Sequence, residues 1–224
     1  MPVSQDVAFN PKKYALAIHT ASPELGLALN NFAGEACSQI WHLGRDLSTH
    51  LQLHLAEFIQ PQHWQDLAFL AVAKGPGGFT GTRMGVVAAR TLAQQLEIPL
   101  FAISTLAAIA DSHYKTLASP IPPSSVETIA VQMQAQRGEI YAAIYQVSPI
   151  GVTPHLADSV LTPEAWQQIL TSQPPNHLVK AEDNLGATVV QVLELAFLAW
   201  QRGDRPHWSE AIPFYGQHPV TLST

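Results

Sequence analysis

A glycine-rich turn joins a buried strand to a long helix, and it constrains the fold more than any other stretch of this chain. Residues Leu67 to Ala73 form an unbroken apolar run that predicts a strand, and the pattern from Thr80 to Leu96 predicts a helix. Glycine adopts the backbone angles that a sharp turn requires, and a threonine in the first helical turn can cap it. The residues of this turn and its predicted cap are Gly75, Pro76, Gly77, Gly78 and Thr80.

Two interpretations of this turn remain open from the sequence. Free amide groups at a helix N-terminus suit an anion or a partner's carboxylate. The alternative is a tight connection without a ligand. The turn is not a P-loop, because Phe79 and Thr80 follow the glycines where that motif has lysine and a hydroxyl residue.

The helix after the turn carries a stripe of small residues. Gly81, Gly85 and Ala89 recur every four residues and leave one helix face almost without side chains. Such a face lets another element approach closely, so we predict that it binds another subunit; an internal contact is the alternative. Arg83 and Arg90 share this helix, follow Lys74, and are expected to bind acidic groups of that partner.

These residues resemble the TsaB (YeaZ) family. The stretch Gly-Pro-Gly-Gly-Phe-Thr-Gly-Thr-Arg-Met-Gly matches the loop of that family except at Gly78, where the family usually has serine. The opening strand from Leu16 to Ala21, the stretch Pro99 to Leu106 and the stretch Arg137 to Tyr141 also match. The resemblance extends from about Tyr14 to Tyr145.

The order of predicted elements agrees with the fold that this resemblance implies. Three close strands, a helix, a strand, a helix and a strand form a ribonuclease-H-like lobe, and two such lobes make an actin-like fold. We therefore expect an α/β protein with an actin-like fold and a smaller second lobe. The predicted division is a disordered leader at 1–13, an N-terminal lobe at 14–104, a C-terminal lobe at 105–202 and an irregular tail at 203–224.

The second lobe gives a weaker pattern. Two strands joined by a hairpin are predicted at Glu127–Gln134 and Glu139–Val147. Helices are predicted at Thr105–Tyr114, Pro163–Leu170 and Leu185–Trp200.

The cleft between the lobes lacks the acids that an actin-like ATPase uses. His19 stands where the family pattern has aspartate in the first strand, and Gln134 stands where the hairpin usually has one. A neutral imidazole is a poor ligand for magnesium. We therefore expect a degenerate cleft, with no catalytic residue, no metal and no cofactor for this chain alone; the resemblance implies ATP and magnesium elsewhere in a complex.

A histidine pair on the first predicted helix, Leu47–Ile59, has the spacing of zinc ligands. His50 and His54 are four residues apart, but the zinc-protease pattern needs glutamate where Leu51 stands. A metal site stays an alternative to the interpretation of these residues as part of an interface.

The resemblance implies a non-catalytic subunit that pairs with a TsaD-like enzyme. That complex forms N6-threonylcarbamoyladenosine (t6A) at position 37 of tRNAs that read codons beginning with A. A TsaE-like ATPase is the third implied partner, with a homodimer when the chain is alone and tRNA contact only through the complex. The alternatives are a metallopeptidase-like hydrolase and an autonomous actin-like ATPase or sugar kinase. The residues predicted to bind the partner are Leu47, His50, Leu51, His54, Gly81, Arg83, Gly85, Ala89 and Arg90.

Composition narrows the possible functions and cellular locations of the chain further. The net charge of −6 leaves no broad basic face for nucleic acid, and a charged fraction of 12% suggests that a partner covers part of the surface. Cys37 is the only cysteine, so no disulfide forms within the chain, and a reducing, cytoplasmic location is expected. No apolar run approaches the roughly 18 residues of a membrane span.

Overall fold

The computed structural model describes residues 9–117 and 126–216, and its first half is built around a five-stranded sheet. Strands β1, β2 and β3 form an antiparallel meander, whereas β4 and β5 run parallel to β1, in the spatial order β3-β2-β1-β4-β5. The elements are β1 (Tyr14–His19), β2 (Glu24–Asn30), β3 (Ala36–His42), α1 (Leu47–Phe58), β4 (Leu67–Ala73), α2 (Phe79–Leu96) and β5 (Leu100–Ile103).

The alternation of side chains along β1 divides the core into two layers. Leu16 and Ile18 pack with Leu51 of α1 and Val86 of α2 on one face of the sheet. On the other face, small residues such as Ala17 pack against a helix from the end of the chain. The sheet is therefore covered on both faces, which explains why β4 is apolar throughout.

The second half contains a four-stranded sheet in the order β8-β7-β6-β9. Strands β6, β7 and β8 form an antiparallel meander, and β9 pairs parallel to β6. This repeats the start of the first lobe with one strand fewer. The elements are α3 (Thr105–Thr116), β6 (Glu127–Gln134), β7 (Ile140–Ser148), β8 (Gly151–Leu161), α4 (Pro163–Ser172), β9 (His177–Lys180) and α5 (Val189–Gln201).

Two of these strands were missed by the sequence prediction. Strand β8 contains Pro154 and pairs with β7 through register irregularities, so its pattern does not alternate regularly. Strand β9 has only four residues, too few for a pattern to emerge. The predicted hairpin at Glu127–Gln134 and Glu139–Val147 is confirmed, with β7 beginning one residue later, at Ile140.

Helix α5 packs against the first sheet, although the sequence placed it in the range predicted for the second lobe. Val189, Val192 and Ala196 lie in the same apolar cluster as Ala17 and Phe69. The predicted helix from Leu185 begins only at Val189, after a short 3₁₀ turn at Gly186–Thr188. The boundaries at 104 and 202 stay predictions.

The described chain is packed on the core at both ends. Residues 1–8 of the predicted leader lie outside the described residues, but the ring of Phe9 contacts Phe32, Phe69, Phe197 and Trp200, so packed structure begins before residue 13. At the other end, the residues from Gly203 to Gly216 contain only a 3₁₀ turn as regular structure. Trp208 of this turn packs against the apolar layer between the first sheet and helices α1 and α2.

The architecture is the predicted α/β actin-like fold of two ribonuclease-H-like lobes, the second with the smaller sheet. Across residues 9–117 and 126–216, no helix combines the length and apolarity needed to cross a membrane.

Candidate functional site

Two glycines of α2 and one of the turn before it form a close-packed row against the segment that follows β1. A Cβ atom on Gly77 would lie 2.2 Å from Ala21 O, and one on Gly81 would lie 2.3 Å from Thr20 O. A Cβ atom on Gly85 would lie 2.1 Å from Thr20 Oγ1. We name Gly77, Gly81 and Gly85 the glycine row; it is bare because the backbone and side chain of Thr20–Ala21 occupy the space of its side chains.

Hydrogen bonds fix this contact. Thr20 Oγ1 donates to Gly81 O at 2.8 Å, and the Gly78 N–H donates to Ala21 O at 2.7 Å. The N–H of Gly78, one of the groups that could have faced an anion, is therefore used inside the chain. This supports the interpretation of the turn as a tight connection.

The partner-binding role predicted for the small-residue stripe needs correction. Gly85 and Ala89 are buried within the chain, and Gly81 lies against Thr20. Leu47 and Leu51 of α1 are also core residues, exposed by 4% and 3%. The period of four residues correctly marks a face that another element approaches, but that element is the chain's own first strand and turn.

Thr80 does not cap α2. The helix begins at Phe79, one residue earlier than predicted, and Gly78 is the capping residue without a side-chain hydrogen bond. Thr80 thus lies inside the first turn, where its own N–H is among those that need a partner.

The glycine turn also connects to two other parts of the molecule. Gly75 has φ of +94°, a conformation that favours glycine, and its carbonyl accepts from the Thr105 N–H at 2.9 Å. Lys74 O accepts from the Phe214 N–H at 2.7 Å. The turn therefore joins the first sheet to the start of α3 and to the C-terminal segment.

His19 is fully buried at the end of β1. Its register partner in β2 is Gly26, where an added Cβ would lie 3.1 Å from Val189 Cβ, so His19 shares the sheet face that the start of α5 covers. Neither ring nitrogen has a hydrogen-bond partner among the described residues. Burial lowers the pKa of His19 from 6.5 to about 4, because the charged imidazolium loses its hydration.

Gln134 lies in a different environment. It is exposed at the end of β6, and its Nε2 donates to the carbonyls of Ala135 and Glu139 at 3.2 and 3.3 Å. This amide group supports its own hairpin. The structure shows no hydrogen bond between Gln134 and His19, so the two residues predicted to share a cleft do not form one polar site.

We expect His19 to make the stability of the chain acid-sensitive. Because its pKa is lower in the folded state, its contribution is present above pH 6.5 and is lost as the pH falls towards 4. The loss by pH 4 should be about 3 kcal/mol, at 1.36 kcal/mol for each pKa unit. Urea unfolding of wild type and His19→Leu at stepped pH measures the difference; parallel pH profiles of the two proteins would contradict the assignment.

The basic residues of α2 pack on aromatic rings of the same chain. The Arg83 guanidinium lies 5.2 Å from the centre of the Phe79 ring, and that of Arg90 lies 5.8 Å from the Trp208 ring. Arg90 is half-buried, whereas Arg83 is exposed. Of the predicted basic set, Arg83 is therefore the one available on the outer face of α2.

The histidine pair on α1 packs along the helix rather than around a common centre. His54 stacks on Trp41 at a ring distance of 4.5 Å, and His50 Nδ1 lies 3.1 Å from Asp46 O. The described part of the chain contains no group of three or more His, Cys, Asp or Glu residues placed to hold a metal ion.

An exposed apolar face lies on the outer side of the two helices. Leu53 of α1 is 51% exposed, and Phe79 and Val87 of α2 are 47% and 60% exposed. We name these residues together with Arg83 the outer helix face. Both helices cover the same side of the first sheet, so their outer surfaces form one layer.

A polar contact at the lobe junction was missed by the sequence analysis. Glu24 is 5% exposed, and its carboxylate accepts from the Gly186 N–H at 2.7 Å and pairs with His42 Nδ1 at 2.9 Å. Ser22 Oγ accepts from the Leu185 N–H at 3.3 Å. The sequence does contain a signal for this contact, because an acidic residue begins the otherwise uncharged strand β2.

Replacing Glu24 with alanine should destabilise the fold by about 2 kcal/mol, because a buried Gly186 N–H would lose its acceptor. Glu24→Gln keeps an acceptor oxygen and should therefore destabilise the fold less than Glu24→Ala does. Chemical denaturation of both variants measures the difference, with Glu57→Ala on the exposed side of α1 as the control. Equal stability of Glu24→Ala and wild type would contradict this assignment.

The comparisons with known proteins agree with this architecture. The family model described as "TsaD: tRNA N6-adenosine threonylcarbamoyltransferase" matches residues 51–198, which is more than half of the 224 residues. The tRNA threonylcarbamoyladenosine biosynthesis protein TsaB of Bacillus subtilis is 35% identical over 135 residues, covering 58% of this chain and 54% of that protein. TsaB of Escherichia coli is 32% identical over 100 residues, covering 44% and 40%.

A solved structure shows the same fold. A Pseudomonas aeruginosa protein described as similar to peptidase YeaZ superposes with a TM-score of 0.74 at 23% identity, covering 92% of this chain and 100% of that one. The chain spans about half the length of the curated relatives it matches. By the family model and these relatives, the chain belongs to the TsaD-type threonylcarbamoyltransferase family and, within it, to the TsaB (YeaZ) group.

Proposed function

We propose that this chain is a non-catalytic subunit that pairs with a TsaD-like enzyme in the biosynthesis of threonylcarbamoyladenosine in tRNA. The two sequence relatives described above are named for that process. In this proposal the chain acts in the cytoplasm, forms a homodimer when alone and contacts tRNA only through the complex. A TsaE-like ATPase is the further partner, and ATP and magnesium are used outside this chain.

One observation carries the non-catalytic part of the proposal. The position where the family pattern has aspartate holds His19, which is fully buried and has its pKa lowered to about 4. A neutral, buried imidazole supplies neither the charge nor the oxygen ligands that a magnesium–nucleotide complex requires. The adjoining glycine turn uses its Gly78 N–H on Ala21 O.

The outer helix face is the proposed binding surface for the TsaD-like subunit. It combines exposed Leu53, Phe79 and Val87 with the cation of Arg83, a mixture of apolar anchors and arginine that is typical of interface centres. The proposed binding surface on α2 is therefore the side of the helix opposite the buried stripe of small residues. The packed glycine row would hold α2 rigidly, so the face is presented in one orientation.

Reconstitution tests the proposal. The chain is mixed with a TsaD-like subunit, a TsaE-like ATPase, threonylcarbamoyl-AMP and tRNA, and modified adenosine is measured by nucleoside mass spectrometry. We expect modification to depend on this chain and to survive the substitution His19→Leu. Equal modification without the chain would contradict the scaffold role, and loss of modification in a folded His19→Leu variant would contradict the non-catalytic role.

A further inference from the structure

The segment at residues 211–216 crosses from the first sheet to the second. It begins with Ala211, which is buried in the apolar layer between the first sheet and helices α1 and α2. The Phe214 N–H then donates to the carbonyl of Lys74, directly after β4, at 2.7 Å. Gly75 is covered at the same point, since a Cβ atom there would lie 3.6 Å from Phe214 Cβ. We name residues 211–216 the strap.

The far end of the strap contacts one cross-strand pair of the second sheet. Tyr141 of β7 lies opposite Val160 of β8 in the antiparallel ladder. The Phe214 ring meets the Tyr141 ring edge to face, with the ring centres 6.3 Å apart. A Cβ atom on Gly216 would overlap Val160 Cγ2, so this glycine packs directly on the valine side chain. The strap therefore connects the glycine turn of the first sheet to the second sheet.

Two other connections join the sheets where the chain itself passes between them. At the outgoing crossing, Ser104 Oγ lies 3.1 Å from the hydroxyl oxygen of the buried Tyr145 on β7. At the returning crossing, the Gly186 N–H donates to the buried carboxylate of Glu24 on β2. Breaking a polar contact in a buried environment leaves unsatisfied groups, so both crossings are firmly held.

The strap is held less firmly than these crossings. Within residues 9–117 and 126–216, its one backbone hydrogen bond to the first sheet or the glycine turn is the bond from Phe214 to Lys74, and it has none to the second sheet. Ile212 is 60% exposed and Tyr215 is 45% exposed. Segments with few buried apolar contacts and exposed backbone open at a lower free energy than the core does.

We propose that the strap is a releasable latch between the two sheets. When it is docked, it holds the sheets in one relative orientation and covers the turn at Lys74 and Gly75. When it is released, it uncovers that turn and lets the sheets move about the two chain crossings, as in a hinge motion. The strap carries no charged side chain, so its release responds to temperature rather than to salt. The latch acts in the free chain and does not depend on the pairing proposed above.

A crosslink tests the docked state. In a Cys37→Ser background, Val160→Cys combined with Gly216→Cys places two thiols at the contact between the strap and β8, close enough for a disulfide. This pair should oxidise nearly completely in the native chain. Val160→Cys combined with Ile212→Cys is the matched control and should stay reduced, because Ile212 lies beside β5. A native chain that fails to form the crosslink between positions 160 and 216 would overturn the proposal.

Spin labels on the two halves of the molecule test the release. In the Cys37→Ser background, Glu57→Cys on α1 and Gln168→Cys on α4 provide exposed labelling sites, and pulsed electron paramagnetic resonance gives the distribution of distances between them. Phe214→Ala removes the ring that meets Tyr141 but keeps the backbone N–H, and it should broaden this distribution at least about twofold.

Two further variants complete the release experiment. Gly216→Leu places a side chain in the space of Val160 and should broaden the distribution without any change at Phe214. Ile212→Ala changes an exposed residue of the same strap and should keep the wild-type distribution. Circular dichroism and the melting temperature establish that each variant is folded. A folded Phe214→Ala or Gly216→Leu variant with the wild-type distribution would overturn the proposal.

Discussion

Gly81→Ala should lower the free energy of unfolding by about 1–2 kcal/mol, although alanine is the better helix former. The new Cβ would lie 2.3 Å from Thr20 O, a backbone atom that cannot move without shifting β1 and the turn that follows it. Overpacking of this kind typically costs 1–3 kcal/mol, against a gain of up to about 1 kcal/mol in helix propensity. Urea denaturation followed by circular dichroism measures the net effect.

Gly78→Ser is the matched control for this substitution. Gly78 has φ of −58°, and a Cβ there would find its nearest neighbour, Ala21 O, at 3.6 Å, so serine fits and can cap α2. The control should be neutral or slightly stabilising. A stabilised Gly81→Ala variant would show that the space beside the glycine row is open, and the row would then again be a candidate for binding a partner.

Val87→Asp should weaken pairing with a TsaD-like subunit by at least about 30-fold without unfolding the chain. Val87 is 60% exposed, so the carboxylate stays hydrated in the free chain but would be desolvated at an apolar interface. A central interface residue typically contributes 2 kcal/mol or more to the binding free energy, and the loss of 2 kcal/mol raises the dissociation constant roughly 30-fold. Isothermal titration calorimetry of the two subunits gives that constant.

Two further variants define the interface. Leu53→Asp on α1 should weaken pairing similarly, because Leu53 lies in the same outer layer. Gln168→Asp, on the exposed side of α4, adds the same charge away from the face and should bind as wild type does. Unchanged affinity in both Val87→Asp and Leu53→Asp would place the interface elsewhere.

Much of the first lobe could be predicted because local patterns determine it. The apolar run Leu67–Ala73 and the periodic stretch to Leu96 gave β4 and α2 almost to the residue. The second lobe was harder, because β9 is too short to show a period and Pro154 disguises β8. The packing of α5 on the first sheet depends on contacts between distant parts of the chain.

The candidate site shows a different limit of sequence reasoning. Glycines spaced by four reveal that one helix face is bare, but not which element approaches it. Here the approaching groups are the backbone of Thr20 and Ala21 and the Thr20 side chain, and the backbone atoms among them leave no trace in residue type. His19 was recognised as unusual from its position, whereas its complete burial depends on α5.

Thiol labelling of the two faces of α2 distinguishes an outer face that binds the partner from an inner face that is buried in the chain. In a Cys37→Ser background, Val87→Cys and Ala89→Cys place single thiols on the outer and inner faces of the helix. We predict that the thiol at 87 reacts rapidly with a maleimide in the free chain and is protected by a TsaD-like subunit. The thiol at 89 should react only after unfolding, since Ala89 is fully buried. Rapid labelling at 89 in the native chain, with protection by the partner, would contradict the account.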